Sequence, residues 1–215
     1  MHLLTDNSFV LILLAAPLLI AAQVYFLVQK MSEPEKMFRP LPGLSEERER
    51  ALSAYREWLD QHDLHYHTTY QFGAIQSVLF RQKDSPRFFS FYFHKQLTFS
   101  IETYFDEVNC TCLDTGTSGS TGMLPQRPNQ YQQSFPGASP EVAWQRHLEA
   151  ESYITGRFGI KYQVLKMPYE QILMKALRLR MQFIRRIPFY PFRALYWYAV
   201  TRSRMANRSI QQQFP

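Results

Sequence analysis

The chain opens on an unbroken apolar run. From Phe9 to Val28, twenty residues pass without a charge, interrupted only by Pro17 and Gln23. At about 1.5 Å of rise per helical residue this covers roughly 30 Å, so the run predicts a transmembrane helix over 9–28 behind a short N-terminal tail, 1–8. A cleaved leader would begin with a basic segment, whereas residues 1–8 hold Asp6 and no Lys or Arg. Lys30, Lys36, Arg39 and Arg48 all follow the run, which predicts a body facing the cytoplasm.

The pattern then becomes that of a folded body. Residues 29–43, with three prolines and Gly43, read as a tether. Ser45 caps a helix whose first turn holds Glu46 and Glu47, with Leu52, Tyr55, Trp58 and Leu59 on its apolar stripe. From Thr68 the period is two. Phe89, Phe91 and Phe93 alternate with polar or smaller residues, as do Leu97, Phe99 and Ile101, and the break at 94–96 predicts a hairpin. An earlier strand is expected over 69–82 with a bulge at Gly73, and a later one over 109–113. Residues 114–138 read as one long polar loop. Ser139-Pro140-Glu141 starts a second helix, expected to end at Gly156, and 160–166 suit an edge strand.

These elements predict an α+β fold: an N-terminal transmembrane helix, an antiparallel sheet of about four strands, helices on one face, and a basic amphipathic C-terminal helix. The expected organisation is a soluble body over 44–167 and a basic, aromatic-rich tail over 168–215.

Charge changes the picture only in that tail. The whole chain is +6, yet residues 168–215 hold nine Lys and Arg against the single acid Glu170, which leaves the preceding residues slightly acidic. Wound as a helix, 171–187 sorts Lys175, Arg178, Arg185 and Arg186 to one side, with Arg180 the only charge in the apolar sector. Arg193, Trp197, Arg202 and Arg204 follow. Basic and aromatic residues in this arrangement suit a lipid headgroup layer, and packing on the sheet is the competing account.

Three patterns carry candidate chemistry. Leu113-Asp114-Thr115-Gly116-Thr117-Ser118 resembles the catalytic loop of the aspartic proteases, a resemblance confined to six residues. It implies Asp114 as a catalytic carboxylate that needs a second copy from a repeat or a dimer. Thr111, Cys112 and Gly119 depart from that family's pattern, and an ordinary Gly-Thr-Ser turn explains the same letters. His65 and His67 with Cys110 and Cys112 could supply four zinc ligands, although neither pair has the usual structural spacing. His147 and Glu151 stand one helical turn apart, which suits a hydrogen bond or acid–base work. Phosphate loops, dinucleotide motifs and nucleophile elbows are absent from the sequence.

The reading that follows is a single-pass membrane protein whose cytoplasmic domain is a non-catalytic interaction or scaffold module. A membrane-tethered hydrolase using Asp114 is the alternative, and nucleic-acid binding by the tail comes third. The expected partners are the lipid bilayer and a protein of unknown identity, with nucleic acid disfavoured and no cofactor.

Overall fold

The computed structural model describes the backbone of residues 3–94, 96–118 and 125–215, and the side chains of these except residues 3–14, Tyr198 and Arg202. Helix α1 runs Leu3–Met31 and leads through a short 3-10 turn to strand β1, Phe38–Leu41. Two short helices, α2 (Glu46–Ser53) and α3 (Arg56–Gln61), precede strands β2 (Leu64–Phe72), β3 (Ile75–Gln82), β4 (Arg87–Phe93), β5 (Leu97–Tyr104), β6 (Cys112–Gly116) and β7 (Gln130–Ser134). Helices α4 (Pro140–Phe158), α5 (Tyr169–Arg185), α6 (Tyr190–Tyr196), α7 (Arg202–Met205) and α8 (Ile210–Gln213) complete the chain.

The class is α+β, but the sheet has seven strands where about four were expected. Their spatial order follows the sequence, β1 to β7. The first six are antiparallel and β7 runs parallel to β6. Two of the extra strands come from segments that carry no alternation of their own. The proline-rich stretch after α1 supplies β1, paired from Phe38–Phe72 to Leu41–Thr69. The long polar segment after β6 supplies β7. The expected strand over 69–82 is instead a hairpin of β2 and β3, because Gly73 turns the chain at φ 61°. Helix α4 passes through Gly156 and stops at Gly159, whose left-handed conformation closes the helix. Residues 160–166 form no strand; Gln163 N–H reaches Phe105 O at 2.9 Å.

The β4–β5 hairpin forms as its alternation dictates, and the outcome differs in what covers it. Phe89, Phe91, Phe99 and Ile101 face one side and pack with Leu52, Leu59 and Trp144 from α2, α3 and α4. The opposite face was expected to be open. Instead Phe88, Leu79, Tyr70 and Tyr104 pack there against Tyr169, Ile172 and Ala176 of α5. The helices therefore lie on both faces, and most of the polar face of β4 and β5 is covered.

The membrane reading is corrected. Among the described residues, no helix is long and apolar enough to cross a membrane. The expected span over 9–28 lies in α1, and the side chains of 9–14 fall outside the described residues. The rest of α1 shows where part of its apolar surface goes: Val24, Val28 and Met31 pack with Met181 and Ile184 of α5 and Ala194 of α6. The single-pass membrane anchor and the cytoplasmic placement inferred from flanking charge are therefore not supported. Leu19 and Phe26 on the other side of α1 stay 64% and 68% exposed.

Burial separates two phenylalanines that composition treats alike. Phe89 is 0% exposed in the core and Phe189 is 82% exposed. Phe89→Ala should cost about 3–5 kcal/mol in urea unfolding, while Phe189→Ala should stay within about 0.5 kcal/mol of wild type. Equal losses would mean that the β4–β5 face is not the core.

Candidate functional site

Register brings two carboxylates together. Glu102 on β5 is the direct cross-strand partner of Asp114 on β6, and both side chains point to the face covered by α5. Residues opposite each other on antiparallel strands have Cβ atoms about 4.5–5.5 Å apart, close enough for like charges to repel.

The two acids have different surroundings. Glu102 Oε2 accepts hydrogen bonds from the Tyr104 and Tyr169 hydroxyls, each at 3.1 Å. Its Oε1 accepts from Tyr92 at 3.4 Å and Ser100 at 3.5 Å. Asp114 Oδ2 accepts from Gln132 Nε2 at 2.7 Å, whereas its Oδ1 is buried with no hydrogen-bond partner among the described residues. Burial raises the pKa of both acids, and the neighbouring Glu102 charge adds to the effect on Asp114, which is pushed up to about 7. Burial and the Glu102 charge also hold the hydroxyls of Tyr104 and Tyr169 well above the ordinary range, so they stay protonated and donate. Four hydroxyl donors favour the charge on Glu102, and a single amide leaves the proton with Asp114. The pair titrates as a unit and carries one proton near neutrality.

Arg180 of α5 lies beside Asp114, where its charge opposes the upward shift of the acid. It is the one charge that broke the apolar sector of this helix, and its place opposite a buried carboxylate explains why.

Two cavities meet at the pair. One, of about 170 Å³, lies between β5–β7 and α5, with Tyr104, Cys112, Gln132, Leu173 and Arg180 in its wall. The other, of about 580 Å³, opens past Tyr92, Ser100 and Thr98 to His94 and Gln96. The two walls share Glu102 and Asp114. Ser100, in the wall of the outer cavity, lies opposite Gly116 in the β5–β6 register.

A second buried polar group sits on the opposite face of the sheet. His147 Nε2 and Nδ1 lie 2.8 Å from the hydroxyls of Thr103 and Thr115. The Thr103 hydroxyl donates to Glu151, and Arg87 binds the same carboxylate through Nε at 2.9 Å and Nη2 at 2.7 Å. Burial drives the His147 pKa down to about 4, so the ring is neutral. Burial raises Glu151, but the hydrogen bonds of Arg87 outweigh it and hold the acid ionised. His147 and Glu151 are 3.8 Å apart and communicate through Thr103. With every partner satisfied, this cluster fastens α4 to the sheet.

The other expected sites are not assembled. Asp114 is in mid-strand rather than on a turn leaving one, and its partner acid belongs to a strand without an Asp-Thr-Gly sequence. Thr115, its neighbour in the motif, faces His147 on the other side of the sheet. His65 bonds Asp63 at 2.8 Å, and His67 lies 3.8 Å from Glu170. Cys110 is buried against α5, outside β6 with φ 49°, so Cys110 and Cys112 do not share a strand face. Among the described residues, no cluster of three or more His, Cys, Asp or Glu could hold a metal ion.

The basic side chains of α5 mostly face this protein's own surface. Lys175 donates to Glu107 O at 2.7 Å, Arg178 pairs with Glu35, and Arg185 bonds Gln29. Arg186, Arg193 and Arg204 are exposed and Trp197 is half-buried. The Arg202 side chain lies outside the described residues.

Glu102, Tyr92, Tyr104, Tyr169 and Arg180 were not among the sequence candidates. One signal was available: Ser90, Tyr92, Ser100, Glu102 and Tyr104 form a polar strand face without a Lys or Arg, unlike most solvated faces. No protein family, no curated protein and no solved structure matches the chain.

The proton on Asp114 ties stability to pH. An acid with a raised folded pKa stabilises the native state fully only below its unfolded value of about 3.9, and this contribution fades up to the folded pKa. From about pH 4 to 7 the loss reaches up to about 1.4 kcal/mol per pH unit. Asp114→Asn mimics the protonated acid and escapes it. The melting temperature of the variant minus that of wild type should therefore be near zero at pH 4, rise by several degrees to pH 7 and level off by pH 8. A difference that stays flat from pH 4 to 8 would show that Asp114 ionises freely in the folded protein.

Proposed function

We propose that the protein binds a small organic molecule in the chamber lined by Glu102 and Asp114. The observation that carries this reading is an open cavity on each side of one half-buried acid pair. Placing two carboxyl groups side by side in a poorly solvated position costs stability, and among the described residues the buried Asp114 Oδ1 has no partner that offsets the cost. A costly polar group facing accessible space is the usual mark of a binding site. The His147–Glu151 cluster gives the contrast, because there the same kinds of group satisfy one another.

The dimensions indicate the size of the ligand. A cavity of about 150 Å³ holds a benzene-sized molecule, and the inner chamber is about 170 Å³. A ligand seated there would present its polar end to the acids and its apolar side to Leu173, Ala176 and Leu177, while the wider outer cavity admits it.

A thermal-shift screen of polar fragments with about ten heavy atoms or fewer tests the reading. A fragment at about 100 times its Kd adds about 2.7 kcal/mol of stability, enough to raise the melting temperature by several degrees. Ser100→Leu, which obstructs the outer cavity beside the acid pair, should abolish the response. No stabilising fragment, or an undiminished response in folded Ser100→Leu, would overturn the proposal.

A further inference from the structure

The charge inventory of the chamber narrows the ligand, taking the binding role proposed above as its basis. The groups facing the acid pair are Tyr70 from β2, Tyr92 from β4, Tyr104 from β5, Cys112 from β6, and Tyr169 and Arg180 from α5, with His94 at the outer mouth. The tyrosine hydroxyls and the thiol are held neutral by burial. Among the described residues, one cation acting on the pair, Arg180, therefore stands against two acids that hold one proton, and their charge sums to zero.

An enclosed site resists any change in that sum, because each uncompensated charge must be desolvated. An anion would need a proton brought in with it. A neutral molecule could bond to the acids but would leave the proton in place. A monocation can replace the proton and keep the sum at zero, and Asp114 Oδ1, unpartnered among the described residues, supplies the acceptor it needs. We infer that the chamber takes a small organic monocation of the ammonium class in exchange for the proton shared by Glu102 and Asp114.

The exchange is balanced. The ligand enters as R–NH3+, the carboxyl O–H of the pair releases its proton to solvent, and the ammonium N–H groups donate to the carboxylate oxygens. No bond within the ligand forms or breaks. Asp114 gains the hydrogen bond it lacks, while Glu102 keeps its tyrosine donors.

Calorimetry on the full-length chain with n-butylammonium, n-butanol and butyrate reads each part of the inference. Butylammonium should bind at least tenfold tighter than the alcohol or the acid. Titrations at pH 6.5 in phosphate and in MES, whose ionisation heats differ and neither of which is a net cation, should show most of one proton released per ligand. The Kd should rise about tenfold per pH unit below neutrality and level off above about pH 8. Asp114→Asn, which has no proton to release, should bind at least tenfold more weakly with no proton release, its fold checked by circular dichroism. Butylammonium binding without proton release would overturn the exchange, and equal binding of butanol or butyrate would overturn the cation class; either result leaves the binding role standing. Binding of none of the three also overturns the inference, and the fragment screen then shows independently whether the binding role falls with it.

Discussion

Strands β4 and β5 are covered on both faces, by α2–α4 on one side and α5 on the other, so their polar residues are largely withdrawn from solvent. This constraint governs the rest of the interior. Strand geometry places every second side chain on the same face, whatever the chemistry of the residue. The phenylalanines of one face fill a conventional core. The Ser, Tyr and Glu residues of the other must find partners inside the protein or border an unfilled space.

Both outcomes occur. Thr103 and Thr115 satisfy His147 on the α4 side, and Arg87 neutralises Glu151, which leaves a closed circuit. On the α5 side the hydroxyl donors converge on Glu102, and Asp114 is left with one unpartnered oxygen at the junction of two cavities. The difference lies in local supply. The α4 face supplies an arginine bound to its acid and two threonines bound to its histidine, whereas the α5 face directs its hydroxyls to Glu102 and a single amide to Asp114.

Helix α5 has apolar neighbours on two sides. Tyr169, Ile172 and Ala176 lie on the sheet, and Met181 and Ile184 receive Val28 of α1 together with α6. Its wide apolar sector, which as a lone helix would suit a lipid surface, is largely occupied by these contacts. The basic sector follows the same logic on a smaller scale, with Lys175, Arg178 and Arg185 held by Glu107, Glu35 and Gln29 of the same chain. Apolarity of α1 counted residue by residue could not anticipate that Val24, Val28 and Met31 would find partners more than 150 residues away.

Period and punctuation alone determined the α+β class, the β4–β5 hairpin, the cap at Ser139 and the extent of α5, because these follow from interactions between residues close in the chain. The sequence also singled out Asp114, although by likeness to a loop it does not form, and it marked Arg180 as a charge out of place. Only the tertiary structure decided that β1 and β7 join the sheet, since edge strands are formed by pairing and carry little alternation of their own. Only it decided that Glu102 stands opposite Asp114, because register depends on how two strands align across the intervening connection. It also decided that their face is enclosed, because the covering helix begins more than fifty residues after Asp114.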